Sequence, residues 1–288
     1  VALIELRDVS KVYGFGEAST LALDEVDLTI TKGEFIAVMG PSGSGKTTLL
    51  NVIGLLDRPT HGSYILGKKP VSQLRVRQRS KLRRDRIGFV FQSYNLIQRL
   101  NVLENVALPL AYRGMTPVRR WRAASDMLER VGLRDREYFL PRHLSSGQAQ
   151  RVAVARALIN KPSIIIADEP TGNLDSFDSK VVMELFADIH RQGNTILLVT
   201  HNPELTRYAN RVIYMYDGSI VGDEKTAIGS LARGARRIYF NRHKRTPEDI
   251  TAGVSALMHE VPGKEVTSAP KRRRRAKRKT RRSKSATR

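Results

Sequence analysis

The 288 residues contain no cysteine. A disulfide framework and a thiolate metal site are therefore excluded, which is compatible with a reducing cytoplasm. Long apolar runs are missing too. The longest uninterrupted ones, such as Phe35–Met39 and Val212–Tyr216, have five residues, whereas a membrane-spanning helix needs about 20. The chain is expected not to cross a bilayer itself. At the N-terminus Glu5, Arg7 and Asp8 interrupt a strand-like alternation, so no signal peptide is expected. Acid is absent from Lys271 to Arg288, where twelve residues are Lys or Arg. That stretch supplies more than half of the net charge of +22 and leaves +10 for residues 1–270. It has to be judged apart from the fold. With 41% hydrophobic residues the remainder can bury a sizeable core, as one large domain or one to two smaller ones.

What is there centres on Gly40-Pro41-Ser42-Gly43-Ser44-Gly45-Lys46-Thr47-Thr48. Its first eight residues fit the phosphate-binding pattern G-x-x-x-x-G-K-[ST]. An apolar run, Glu34 to Met39, precedes it and suits a buried strand; Lys46 to Ile53 reads as a helix with Gly54 as its stop. A strand that turns directly into a helix aims free N–H groups and the positive end of the helix dipole at one point. Glycines let the backbone wrap phosphate oxygens, Lys46 can reach the β- and γ-phosphates, and the Thr47 hydroxyl can hold Mg²⁺.

Around this motif the chain divides. Val26, Leu28 and Ile30 alternate with polar residues, as in a half-buried antiparallel strand, and residues 62–67 add another. Tyr13 and Phe15 are rival candidates for stacking on an adenine ring. Residues 74–86 carry seven Lys or Arg against Asp85; a solvated helix face and a nucleic-acid contact both fit such a run. Ile87 to Phe91 reads as a buried strand ending at Gln92. Asn101 and Glu104 have cap spacing for a helix through Leu110. Thr116 as cap, Pro117 and Gly132 mark another helix. Residues 101–143 thus read as a helical insert.

Leu144-Ser145-Ser146-Gly147-Gln148 opens a helix to about Asn160. Ser145 and Gln148 have capping-box spacing, and the same helix start is an anion site. Ile164 to Ala167 is a buried strand ending in Asp168-Glu169. Two carboxylates there are costly to bury without a partner: the first suits Mg²⁺, the second the attacking water of a nucleotide hydrolase. A turn at residues 171–175 leads to a helix at about 178–191, and Thr195 to Thr200 forms a strand ending in His201. A histidine after a strand is often structural, but strand ends of an α/β sheet are where ligands gather. Residues 211–223 read as a closing hairpin.

Taken in order, the phosphate loop, Gln92, Leu144–Gln148, Asp168-Glu169 and His201 resemble the nucleotide-binding cassette of the ABC ATPase superfamily. The resemblance spans roughly residues 2–224. Asn101 to Leu110 and Asp168 to Asp175 are similar to the lipoprotein-release and macrolide-export branch. The resemblance implies an α/β fold: a P-loop NTPase core, an antiparallel β subdomain and a helical subdomain at about 93–160, together filling residues 1–225. Residues 226–240 would be an extension of no assigned structure, and 241–288 a disordered basic tail.

It also implies roles. ATP would be held by Tyr13, residues 40–48 and Gln92, and Mg²⁺ by Thr47, Gln92 and Asp168. Glu169, His201 and Lys46 would be catalytic. Ser145, Ser146, Gly147 and Gln148 would be the signature that meets the ATP of an opposite subunit, with Asp175 in the D-loop. Ser146 departs from the usual L-S-G-G-Q. Two cassettes would close head to tail on two ATP and drive a separate membrane permease from the cytoplasmic face. The rival readings are a soluble ATPase switch on nucleic acid and a nucleotide-binding regulator with negligible turnover. Residues 271–288 could touch anionic lipid or nucleic acid.

Overall fold

The computed structural model describes residues 1–228; the expectations for 229–288, the basic tail included, lie outside them. An antiparallel sheet has the order β2-β1-β4-β5. Its strands are β1 (Ala2–Tyr13), β2 (Thr20–Thr31), β4 (His61–Leu66) and the short β5 (Lys69–Pro70). Val26, Leu28 and Ile30 bury as their alternation requires, with Ile4, Leu6 and Val9 of β1 on the same side.

The second sheet has six strands: β3 (Phe35–Met39), β6 (Ile87–Phe91), β7 (Ile164–Asp168), β8 (Thr195–Val199), β9 (Arg211–Tyr216) and β10 (Ser219–Lys225). Their order is β10-β9-β3-β8-β7-β6, with only the β10–β9 pair antiparallel. The parallel strands read as continuous apolar runs because both faces are covered. Ile36, Val38, Ile166 and Leu197 face α1 (Lys46–Ile53) and the antiparallel sheet. Phe35, Ala37, Ile165 and Leu198 face the opposite core, which holds α5 (Ser146–Leu158) and α6 (Ser176–Arg191).

Helix α2 (Val76–Arg86) buries no residue and carries the basic run on its surface. Beyond β6 come α3 (Val102–Ala111) and α4 (Pro117–Arg130), then two single turns of 3-10 helix before α5. Asn101 caps α3 reciprocally with Glu104, at 2.8 Å each way. One turn in, the fully buried Asn105 accepts from the Ile97 N–H at 2.8 Å. Its amide nitrogen lies 3.0–3.1 Å from the carbonyls of Ile97, Leu100 and Asn101. It replaces water for a stretch of irregular backbone that could not otherwise be buried.

At three helix ends the boundary stands within two residues of its signal, and the detail differs. Thr116 stands at the cap of α4, but its side chain makes no capping bond. Gly54 follows α1 in a right-handed conformation; it is needed for space, since a Cβ there would meet the Phe89 ring and the Leu50 carbonyl at 2.8 Å. Gly54 also stops the helix, its N–H donating to the Leu50 carbonyl at 2.7 Å, and the Tyr64 hydroxyl donates to the Ile53 carbonyl at 2.7 Å. Helix α6 begins two residues before the expected 178, because Asp175 caps it by accepting from the Asp178 N–H at 2.7 Å. Among the described residues no helix is long and apolar enough to cross a membrane.

Replacing Asn105 by Leu removes the amide and leaves the Ile97 N–H and three carbonyls facing an apolar side chain. The expected loss of stability is about 2–4 kcal/mol, the scale of orphaned buried polar groups. Urea unfolding followed by circular dichroism measures it; a loss within about 0.5 kcal/mol would show that these groups find other partners.

Candidate active site

The ladder puts the ends of β6, β7 and β8 side by side: Phe91 pairs with Asp168, and Asp168 with Val199. Val38, one residue from the end of β3, also pairs with Val199. The loops after β3, β7 and β8 converge on a cavity of about 430 Å³. Gly40, Ser42, Gly43, Gly45, Lys46, Thr47, Thr48, Asp168, Glu169, Val199 and His201 line it, with Thr20 to Ala22 of β2 closing one side.

Two glycines of the loop are required by close approach. A Cβ at Gly40 would lie 2.5 Å from the Met215 carbonyl oxygen, and one at Gly45 2.5 Å from that of Ala22. Gly45 also has φ +92°, which other residues adopt only with strain. The loop thereby presses against β2 and β9, and the first N–H groups of α1, which have no intrahelical partner, open toward the cavity. Ser44 is buried beneath the loop with its hydroxyl unpaired. Pro41 is exposed on the loop and gives its carbonyl to the site. The Lys46 ammonium donates to the Gly40 and Pro41 carbonyls at 2.8 and 2.7 Å. Desolvation lowers its pKa, against the opposing pull of Glu169 and Asp168. A phosphate would offer this cation a better acceptor than two neutral carbonyls.

Desolvation, then the neighbouring Glu169 charge, raises the pKa of Asp168, with Lys46 acting the other way. Among the described residues no group of three or more His, Asp or Glu could hold a metal by itself. The Thr47 hydroxyl and the Asp168 carboxylate nevertheless line the same cavity, and their all-oxygen chemistry fits Mg²⁺ that takes its other ligands from phosphate and water. Glu169 adopts φ +47°, an uncommon conformation for a non-glycine residue. It is held there by its N–H, which donates to the Val199 carbonyl at 2.9 Å. Its Oε1 lies 2.8 Å from Nδ1 of the exposed His201. A carboxylate and an imidazole so paired can orient a water and exchange its proton.

Gln92 does not line this cavity. Its side-chain amide donates to Asn173 Oδ1 at 3.1 Å, while Asn173 Nδ2 donates to the Gln92 carbonyl at 3.2 Å. This reciprocal pair ties Gln92 to the loop after Glu169 rather than to Thr47 and Asp168. Tyr13 stands at the end of β1. Its hydroxyl donates to Asp57 Oδ2 at 2.9 Å, and Lys11 Nζ sits 4.7 Å from its ring centroid. Burial, followed by the hydrogen bond to Asp57, raises the Tyr13 pKa, while a hydrogen bond with Thr48 of α1 acts the other way. Phe15 is far more exposed, at 87% against 39% for Tyr13, so Tyr13 is the aromatic anchored beside the phosphate loop.

The second anion motif lies elsewhere. Ser145 caps α5 by accepting from the Gln148 N–H at 3.2 Å, and Gln148 Oε1 accepts from the Ser145 N–H at 3.0 Å. Burial raises the Tyr94 pKa, with the Ser146 side chain beside it acting the other way. The Gly147 N–H donates to Asp178 Oδ2 at 3.2 Å. None of these four signature positions lines the phosphate cavity. The sequence marks Asn173 within the turn at residues 171–175 but not its contact with Gln92, and for Asp178 it offers only the Asp-x-x-Asp spacing from Asp175.

The family description ABC transporter matches residues 23–172. The chain belongs to this family. It resembles the ABC transporter ATP-binding protein YvrO of Bacillus subtilis, with 45% identity over 77% of this chain and 97% of that one. The macrolide export ATP-binding/permease protein MacB of Marinobacter nauticus is 48% identical over 77% of this chain, which spans only about a third (34%) of that relative. A dimeric structure of MJ0796, a bacterial ABC transporter cassette, superposes with a TM-score of 0.72 at 44% identity over 77% of this chain and 98% of that one. A second dimer of the same cassette, in a post-hydrolysis state with ADP and Pi, matches equally well at 43% identity. This ABC cassette is thus a nucleotide-binding P-loop ATPase with the two-sheet architecture expected of it.

In this cassette Asp168 is a carboxylate whose folded pKa is raised, so protonation favours the fold. Stability falls as pH climbs from the unfolded value near 3.8 through the folded one. Asp168→Asn should therefore raise the thermal midpoint of the nucleotide-free protein at pH 7 and flatten its dependence on pH. The same change should weaken Mg²⁺-dependent nucleotide binding. Thermal melts across pH with and without Mg²⁺ and nucleotide test both; a lowered midpoint at pH 7 would show that the carboxylate stabilises the fold.

Proposed function

We propose that this chain is the ATP-hydrolysing subunit that energises a separate membrane permease from the cytoplasmic face, working as a pair of cassettes. The observation that carries this reading is the split site. Phosphate loop, Asp168, Glu169 and His201 share one cavity, while the signature at the head of α5 stands outside it. Head-to-tail pairing of two copies completes each site by bringing the opposite Ser145 and Gly147 to the γ-phosphate. The dimeric MJ0796 cassettes support this arrangement.

In the reading proposed here, the N–H groups of the loop and Lys46 hold the β- and γ-phosphates, and Thr47 and Asp168 hold Mg²⁺. Pro41, Ser42, Gly43, Ser44, Gly45 and Thr48 shape the loop around them, and Tyr13 stacks on the adenine. Bound Mg²⁺ supplies charge neutralisation on the phosphates. Glu169 takes the proton of the attacking water, His201 fixes the Glu169 carboxylate, and Gln92 and Asp175 link this chemistry to the loops that move. Residues 1–225 act as one cassette, whose helical part carries the signature.

A groove on the surface supports this reading. It has a volume of about 1060 Å³ and lies between α2, α3 and α5. Phe89, Leu108, Pro109 and Tyr112 form its apolar part, and Arg77, Lys81 and Arg84 its basic part. Arg156 lines it as well and donates to the Tyr94 and Asn95 carbonyls at 2.7 and 2.5 Å. Those two residues hold positive φ and follow Gln92 closely. A permease segment with an apolar face and acidic ends fits this lining. Its motion reaches Gln92 through Arg156.

Glu169→Gln should keep nucleotide affinity and slow hydrolysis by about 10² to 10⁴-fold, the usual scale of a general base. The mutant should be monomeric with ADP and dimeric with ATP, and adding Ser145→Arg should abolish the dimer. Light scattering beside a phosphate-release assay measures both. Unchanged hydrolysis would remove Glu169 from the mechanism; a dimer that survives Ser145→Arg would remove the signature from the interface.

A further inference from the structure

Gly147 is a buried residue of the signature, and the group covering it is the Asp178 carboxylate from the first turn of α6. The Gly147 N–H donates to Asp178 Oδ2 at 3.2 Å. A Cβ at position 147 would collide with that carboxylate. Asp178 is fixed in turn by its own N–H, which Asp175 caps at 2.7 Å. A carboxylate suits this place for the reason a phosphate would: the first N–H groups of α5 have no intrahelical partner and the helix dipole favours an anion.

The same N–H is the one that the shared-site reading gives to the γ-phosphate of the opposite subunit. Two anions cannot share one N–H, and a carboxylate left beside a triphosphate would repel it. We propose that Asp178 is a displaceable internal anion that closes the signature of the single subunit to phosphate, and that pairing on ATP swings it away. The proposal rests on the shared-site reading above and adds a residue that sets how much ATP the pairing requires.

Position gives the contact a second consequence. Asp178 sits three residues after the Asp175 cap, in the first turn of the helix that follows the loop leaving Glu169 and holding Gln92 through Asn173. The Gly172 N–H on that loop donates to the Glu169 carbonyl at 3.0 Å. Releasing Asp178 from α5 therefore frees the start of α6 in the same subunit whose signature has just engaged phosphate. Each cassette then registers at its own catalytic loop that its signature is in use on the partner's ATP.

The test uses the full chain carrying Glu169→Gln, with Asp178→Ala or Asp178→Asn added. Light scattering gives the ATP concentration at half-dimerisation, and titration with ADP gives the affinity of the phosphate loop alone. Asp178→Ala should lower the ATP requirement about 10- to 100-fold, the scale of a hydrogen bond to a charged group. Asp178→Asn, which keeps the shape and an acceptor without the charge, should lower it by less. ADP affinity should not move in either. An unchanged or higher ATP requirement in both folded variants overturns the proposal. If Glu169→Gln alone stays monomeric while the Asp178 variants dimerise with ATP, the proposal is supported directly. If none of the three dimerises, the shared-site reading fails and Asp178 has nothing to close.

Discussion

The hydrogen-bond ladder running β9-β3-β8-β7-β6 decides where every reacting group can stand. Strands buried on both faces cannot slip by one residue without exchanging the side chains of two cores. Ile36 and Val38 pack on one side while Phe35 and Ala37 pack on the other. The register is therefore fixed, and with it the level at which the strands stop. Asp168, the last residue of β7, lies between Phe91 and Val199. From there the uncommon conformation of Glu169 follows, because its N–H is taken by the Val199 carbonyl.

Polar groups that would hold a triphosphate are satisfied internally. Lys46 bonds the carbonyls of its own loop, Ser145 and Gln148 cap one another, and Gly147 gives its N–H to Asp178. Each arrangement gives the donor an acceptor within the chain. On the proposed reading, nucleotide binding is then an exchange of acceptors. A charge-assisted bond to phosphate is about twice as strong as one to a neutral carbonyl, so the exchange favours the ligand at Lys46. At Gly147 it is one anion for another, and the balance is closer.

Most of what is local was legible in the sequence. The phosphate loop is a strand, a turn and a helix in succession, and Lys46–Ile53 forms the helix its pattern predicts. The Asn101–Glu104 and Ser145–Gln148 boxes close as their spacing indicates. Thr116 has the same kind of position and makes no cap, so spacing proposes a cap but does not compel it. Asn105 would pass in the sequence for an ordinary residue of α3; only packing turns it into the plug for the backbone around Ile97.

Residue types and short spacings by themselves determined the chemistry of this protein: a loop that binds phosphate, two carboxylates at a strand end and a helix head that attracts an anion. These depend on neighbours within a few residues, whose geometry the backbone transmits directly. The tertiary structure alone decided which of these groups meet. It set Glu169 against His201 across 32 residues, tied Gln92 to Asn173 across 81, and laid Asp178 over Gly147 across 31. Such contacts follow from how two sheets and their helices share two cores. That arrangement is fixed by the packing of the whole set of apolar residues, and no short stretch of sequence contains it.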